Sequence, residues 1–194
     1  KASSGLWGSL KYTPISPNLM CGIFGCMSDD AAMQVLEGLR KLEYRGYDSA
    51  GLAAIFPKNE DEIKTERTTG YVSDLVSKAN GRFKSASISI GHTRWATHGE
   101  VTDSNAHPHS SNDGTITLVH NGIIENASEL LAKVEQLGYS VNSETDSELI
   151  VHLLHHEMSL LPENTHPLAA LRNTAKLLSG SWAIAAIICG YEEI

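Results

Sequence analysis

Cys21 follows Met20 and opens an apolar run, Gly22-Ile23-Phe24-Gly25. That order reads as a protein start, because removing the methionine leaves a cysteine that carries its own free α-amine. One residue would then supply both a nucleophile and a base. A thiol of pKa about 8.5 is only a few per cent thiolate at pH 7, and an α-amine of pKa about 7.7–8.0 is matched to take and return its proton. An amide nitrogen inside a chain has no such basicity. Residues 1–20 carry Gly, Ser and Pro with little periodicity, so they are read as a leader or expression remnant and expected to be disordered. A chain that keeps them is expected to be impaired. They lack the apolar core of about 7–15 residues that a secretory signal needs. The alternative is a propeptide that the protein removes itself.

Other residues could serve such a nucleophile. In His92–Glu100 (HTRWATHGE), Arg94 offers a planar fork that suits a carboxylate, and Trp95 a lid or wall. Taken singly, they read more readily as a surface ion pair and a core anchor. In His120-Asn121-Gly122 the Asn121 side chain and the Gly122 N–H could be two donors to an oxyanion, although Asn-Gly is also a turn signal. Asp146 sits at a helix start in Glu144-Thr145-Asp146, where it could hold an ammonium or simply complement the helix dipole. The histidines at 92, 98, 107, 109 and 120 invite a metal, but their spacing fits no zinc pattern. No metal is expected.

These residues need elements to hold them. Cys21–Cys26 predicts a strand, and Ser28 or Asp29 could cap a helix to about Leu42. Tyr44–Ser49 predicts a loop and Gly51–Phe56 a second strand, followed by a charged, exposed stretch, Asn59–Glu66. A short helix over Tyr71–Ala79 would end at Asn80-Gly81. Ala86–His92 reads as a strand, Arg94–Ser111 as a long loop over something functional, and Thr115–His120 as a strand. Asn126 or Ser128 would cap a helix stopped by Gly138. Thr145 and Glu148 have capping-box spacing for a helix to about Leu160. Pro167 opens a last helix ended by Gly180, and Trp182–Cys189 suits a buried strand. The chain stops soon after that strand and is read as truncated at its C-terminal side.

The 194 residues suit one domain or slightly more, with 41% hydrophobic and 20% charged residues. A net charge of −8 argues against nucleic acid as the main partner. No apolar run approaches the roughly 20 residues of a membrane helix. Three cysteines without metal spacing fit a reducing cytoplasm.

The segments taken together are more specific than any one of them: CGIFG at 21–25, LEYRGYDSAGLA at 42–53, HTRWATHGE at 92–100, AHPH at 106–109, HNGIIEN at 120–126 and ETD at 144–146. Their order resembles the class II glutamine amidotransferases, which use an N-terminal cysteine, and within them the glucosamine-6-phosphate synthases. The resemblance implies an α+β chain with the N-terminal nucleophile hydrolase fold, an αββα sandwich of two antiparallel sheets between helical layers. It implies that residues 21–194 are the glutaminase domain, without the sugar-phosphate isomerase half. Cys21 would attack the side-chain amide of L-glutamine, with Asn121 and Gly122 holding the oxyanion. Arg94 would bind the α-carboxylate and Asp146 the α-ammonium. Thr97 and His98 would orient the amino acid, Trp95 would close over it, and Arg45 would support the nucleophile. No cofactor is expected. Ammonia would pass to fructose-6-phosphate in the missing half, the partner needed for amino transfer, and a homodimer of the full-length protein stays open. Two alternatives also stay open: the amidotransferase domain of a phosphoribosylamine-forming enzyme, and a non-catalytic glutamine-binding module.

Overall fold

The computed structural model describes residues 21–45, 48–57, 59–95, 99–162 and 165–191. The leader assigned to residues 1–20 lies outside them. Seven strands form two separate antiparallel sheets, four from the first half of the described chain and three from the second. In the first, β1 (Gly22–Met27), β4 (Ile88–Arg94), β2 (Ser49–Phe56) and β3 (Asn59–Thr69) lie in that spatial order. In the second, β6 (Ile116–Ile124) pairs with the two-residue β5 (His109–Ser110) on one side and β7 (Gly180–Ile188) on the other.

Strand periodicity sends alternate residues to opposite faces, and this builds three apolar layers. Ala53, Ile55, Ile88 and Ile90 of the first sheet meet Val119 and Ile187 of the second between the sheets. The outer face of the first sheet packs on α1 (Ala31–Leu42) and α2 (Val72–Ala79), through Val35, Leu36, Leu39, Leu52 and Leu75. Gly91 allows this approach, since a Cβ there would lie 2.5 Å from Val35. On the outer face of the second sheet, Ile116 and Leu118 meet α3 (Ala127–Gln136), α4 (Asp146–Ser159) and α5 (Leu168–Leu177). The layer order is therefore helix, sheet, sheet, helix.

Several boundaries differ from those the sequence predicts. The charged, exposed stretch from Asn59 is the edge strand β3, paired to β2 from Ser49↔Thr69 to Phe56↔Asn59. Its charges are the usual protection of a sheet edge, and they hid the alternation. Strand β6 runs four residues past His120, so Asn121 and Gly122 pair with Ala183 and Trp182 rather than forming a turn. The cap of α1 is Asp30, without a side-chain bond, and Tyr44 and Arg45 join a 3-10 turn. Gly180 starts β7 instead of ending α5, and β7 is largely exposed along its first half. No helix among the described residues is long and apolar enough to cross a membrane.

Candidate active site

The nucleophile candidate lies where β1 begins. The β1–β4 register pairs Gly22 with Thr93, so Cys21 stands beside the end of β4 and the residues that follow it. The Trp95 N–H donates to Cys21 Sγ at 3.2 Å, and the thiol is 3.6 Å from the Trp95 carbonyl oxygen. Burial pushes the Cys21 thiol above its ordinary value. The Trp95 N–H and the Arg94 charge pull it down, Asp48 pushes it up, and the net direction is up. A thiol held that way needs a base to become a nucleophile near neutral pH.

Alternation along β6 separates two neighbours. His120 points to the α4 side and Asn121 to the space between the sheets. The Asn121 Nδ2 donates to the Cys21 carbonyl oxygen at 3.1 Å, while its Oδ1 lies 2.6 Å from His92 Nε2. Gly122, with φ +138°, sits where a Cβ would lie 2.0 Å from the Ser181 carbonyl oxygen, so only glycine fits.

Cys21, Arg94, Trp95, Gly122 and Asp146 line one cavity of about 90 Å³, with Thr145 and Ser147 on its α4 wall. Arg94 is buried at the end of β4, 3.8 Å from Asp48. Asp146 opens α4, and its Oδ2 accepts the Ile124 N–H at 2.9 Å. Burial would raise the Asp146 carboxyl, but bonding to His120 together with the Ile124 N–H and Ser147 holds it below its usual range. The cavity thus presents a thiol, a cation and an anion. Thr97 and His98, and the side chain of Arg45, lie outside the described residues.

His107 and His120 line the same cavity and belong to a cluster whose parts the sequence displays but does not join. His92, His107, His109 and His120 are all buried. The ring centroids of His92 and His107 lie 4.1 Å apart with the planes tilted by 35°, and His109 meets His107 edge-on at 4.8 Å. Ser147 Oγ lies 2.7 Å from His107 Nε2, 2.9 Å from His120 Nδ1 and 3.4 Å from Asp146 Oδ1. One protonation pattern satisfies these bonds: both imidazoles donate to Ser147, whose single proton goes to Asp146. His107 Nδ1, left without a partner, is then a bare acceptor. His92 Nε2 faces Asn121 Oδ1, which can only accept, and so donates to it. Burial holds His92 and His109 down to about 3 and His107 well below its usual value, so these rings are neutral. Among the described residues no group of three or more ligating side chains could hold a metal.

Two carboxylates fix the loops around the site. Glu144 accepts the Glu100 N–H and the Asn105 side-chain amide, both at 3.0 Å, which ties the segment after Trp95 to the approach of α4. Glu148 accepts the N–H groups of Asn142 and Ser143. The expected capping box is therefore not made: Glu148 reaches past Thr145, whose hydroxyl bonds His109 Nε2 at 3.0 Å instead. The ETD and AHPH segments held the signal for Glu144 and the histidines, but spacing alone does not show that they converge.

Residues 92–189 match the model of the family described as glutamine amidotransferase domain. The chain belongs to the glutamine amidotransferase domain family. This amidotransferase domain is 45% identical over 175 residues to a glutamine–fructose-6-phosphate aminotransferase (isomerizing) of Acinetobacter baylyi, covering 90% of this chain and 27% of that one. It is 47% identical over 175 residues to the protein of the same name from Acidithiobacillus ferridurans, covering 90% and 28%. The chain spans about a quarter of the length of these relatives. A solved glutamine phosphoribosylpyrophosphate amidotransferase from B. subtilis, complexed with ADP and GMP, superposes with a TM-score of 0.69 at 24% identity, over 86% of this chain and 35% of that one. That likeness bears on the fold, and with the layer order it bears out the N-terminal nucleophile hydrolase sandwich expected from the sequence.

Proposed function

We propose that this amidotransferase domain hydrolyses the side-chain amide of L-glutamine to glutamate and ammonia. The observation that carries the reading is that Arg94 and Asp146, of opposite charge, line the same cavity as the Cys21 thiol. A zwitterionic amino acid needs one cation, one anion and a nucleophile at its far end. Arg94 binds the α-carboxylate, Asp146 the α-ammonium, and Trp95, Thr97 and His98 orient the amino acid, with Arg45 supporting the nucleophile.

The Cys21 thiol attacks the amide carbon while its own α-amine takes the thiol proton. Asn121 has two N–H donors; one holds the Cys21 carbonyl, and the other, with the Gly122 N–H, receives the oxyanion. The α-amine then protonates the departing ammonia, and water releases glutamate from the thioester. This scheme requires Cys21 to be the first residue, so residues 1–20 act as a block until removed. In the longer protein the ammonia is delivered to fructose-6-phosphate in a second half, a reading supported by the names of the relatives. The three cysteines are free thiols, which suits a cytoplasmic setting.

The test is ammonia release from glutamine by the 194-residue chain before and after a protease cut between Met20 and Cys21. Activity is expected only after the cut. Equal activity in both, with mass showing an intact leader in the first, overturns the role of the α-amine. A folded but silent cut chain overturns the glutaminase reading.

A further inference from the structure

We propose that His92 is a positioning residue that fixes the side-chain amide of Asn121 with its N–H face toward the nucleophile. The inference rests on the glutaminase reading above and adds a residue that the scheme does not use.

An asparagine amide is a donor at one end and an acceptor at the other, and rotation by half a turn exchanges them. Turned the wrong way, Asn121 would present a carbonyl oxygen to the Cys21 carbonyl and to any developing oxyanion. Two bonds oppose this. The Cys21 carbonyl accepts from Nδ2 at 3.1 Å, and His92 Nε2 reaches Oδ1 at 2.6 Å. The first partner belongs to the residue that carries out the attack. The second is rigid: His92 is 1% exposed and its ring packs against that of His107, 4.1 Å away between centroids. The Cys21 carbonyl can only accept, so Nδ2 faces it and Oδ1 faces His92; Oδ1 can likewise only accept, so His92 Nε2 carries the proton. Donation to Oδ1 also polarises the amide and strengthens the N–H groups at its other end.

The backbone explains the placement. His92 and Arg94 are two apart on β4, and the residues two and four before His92, Ile90 and Ile88, lie in the layer between the sheets. Strand periodicity therefore aims His92 across that layer at β6, where Asn121 faces it.

The experiment uses the 194-residue chain cut after Met20 and compares the parent with His92→Met, His92→Gln, Asn121→Ala and the double variant His92→Met with Asn121→Ala. Methionine fills similar volume without a donor, whereas glutamine keeps an N–H near Nε2. For His92→Met, kcat is expected to fall about 10-fold with KM for glutamine unchanged, below the roughly 10²–10³ loss for deleting an oxyanion donor. The double variant is expected to match Asn121→Ala alone, because a brace has no effect once its target is gone. Alkylation of Cys21 by iodoacetamide is expected to keep its parental rate, and His92→Gln to recover most of kcat.

A His92→Met variant with parental kcat, or with a loss that multiplies that of Asn121→Ala, overturns the inference, as does a parallel fall in alkylation. Should His92→Met fail to fold by circular dichroism, His92→Gln is compared with His92→Asn, whose donor sits at the Nδ1 position. Loss only in the latter supports the brace, and equal rates overturn it. A parent that releases no ammonia overturns the glutaminase reading and the inference together. An active parent that loses rate with Asn121→Ala but not with His92→Met overturns the inference alone.

Discussion

Asn121 Nδ2 donates to the carbonyl oxygen of Cys21 across 100 residues of sequence. The bond joins the two sheets at the point where β1 begins and β6 passes the cavity. It places a side-chain amide donor 3.1 Å from the backbone carbonyl of the nucleophile's own residue.

Asn121→Ala is expected to lower kcat for glutamine hydrolysis by about 10²–10³, the usual cost of one oxyanion donor, with little change in KM. Steady-state ammonia release by the chain cut before Cys21 measures both constants. A rise in KM at constant kcat would instead assign Asn121 to ground-state binding and remove it from the oxyanion scheme.

Gly122→Ala is expected to act on stability as well as rate. The new methyl would sit 2.0 Å from the Ser181 carbonyl oxygen and 2.8 Å from the Trp182 Cα, on a backbone with φ +138°. Strand β6 would have to shift against β7, at a cost of at least about 1 kcal/mol. For a domain of this size that is a drop in Tm of roughly 2–4 °C per kcal/mol, read by calorimetry. An unchanged Tm would mean that β7 gives way freely there.

Asp146→Asn is expected to raise KM for glutamine about 10- to 150-fold, the equivalent of the roughly 1.5–3 kcal/mol carried by a hydrogen bond to a charged group. The amide oxygen can still accept the Ile124 N–H, so the fold should persist, and circular dichroism checks that. An unchanged KM would remove Asp146 from ammonium binding. The comparison also separates a substrate role from the dipole role that its position at the start of α4 equally permits.

How far the sequence could be read depended on the range of the signal. Periodic apolar residues marked α1, α3 and β4 within a few residues, because burial on one face leaves a local trace. Strand β3 left none: it is an edge, and its charges look like a loop. The Asn121-Gly122 pair reads as a turn until β7 is seen opposite it, 60 residues later. Cys21, Arg94, Trp95 and Asp146 were legible as chemistry, since their types and the segments around them are distinctive. His92 and Glu144 were on view within the same segments and Ser147 directly after one, yet their parts depend on contacts across 27 to 44 residues, which no spacing rule encodes.

Acid should weaken this domain before its carboxylates titrate. His92, His107 and His109 stay neutral in the folded chain because burial lowers them, to about 3 for His92 and His109. Unfolded, they take up protons near pH 6.5. Their folded values lie below their unfolded ones, so the unfolded chain binds more protons as pH falls from about 6.5 toward 3. Stability is then lost at about 1.4 kcal/mol per pH unit for each group, or about 4 for the three. The slope is half-developed at pH 6.5 and fades above about pH 7.5. Asp113, Asp146 and Glu148 are also held below their usual values, so their contribution is present above the ordinary carboxylate range and is lost only as pH falls through and below it. The interval from pH 6.5 to 5 therefore isolates the histidines. Urea midpoints are expected to be nearly level from pH 8 to 7.5 and to fall steeply from 6.5 to 5, with a shallower fall in His109→Gln. Midpoints that stay level down to pH 5 would mean that these rings bind protons in the folded state, and the donor assignments at Ser147 and Asn121 would have to be redrawn.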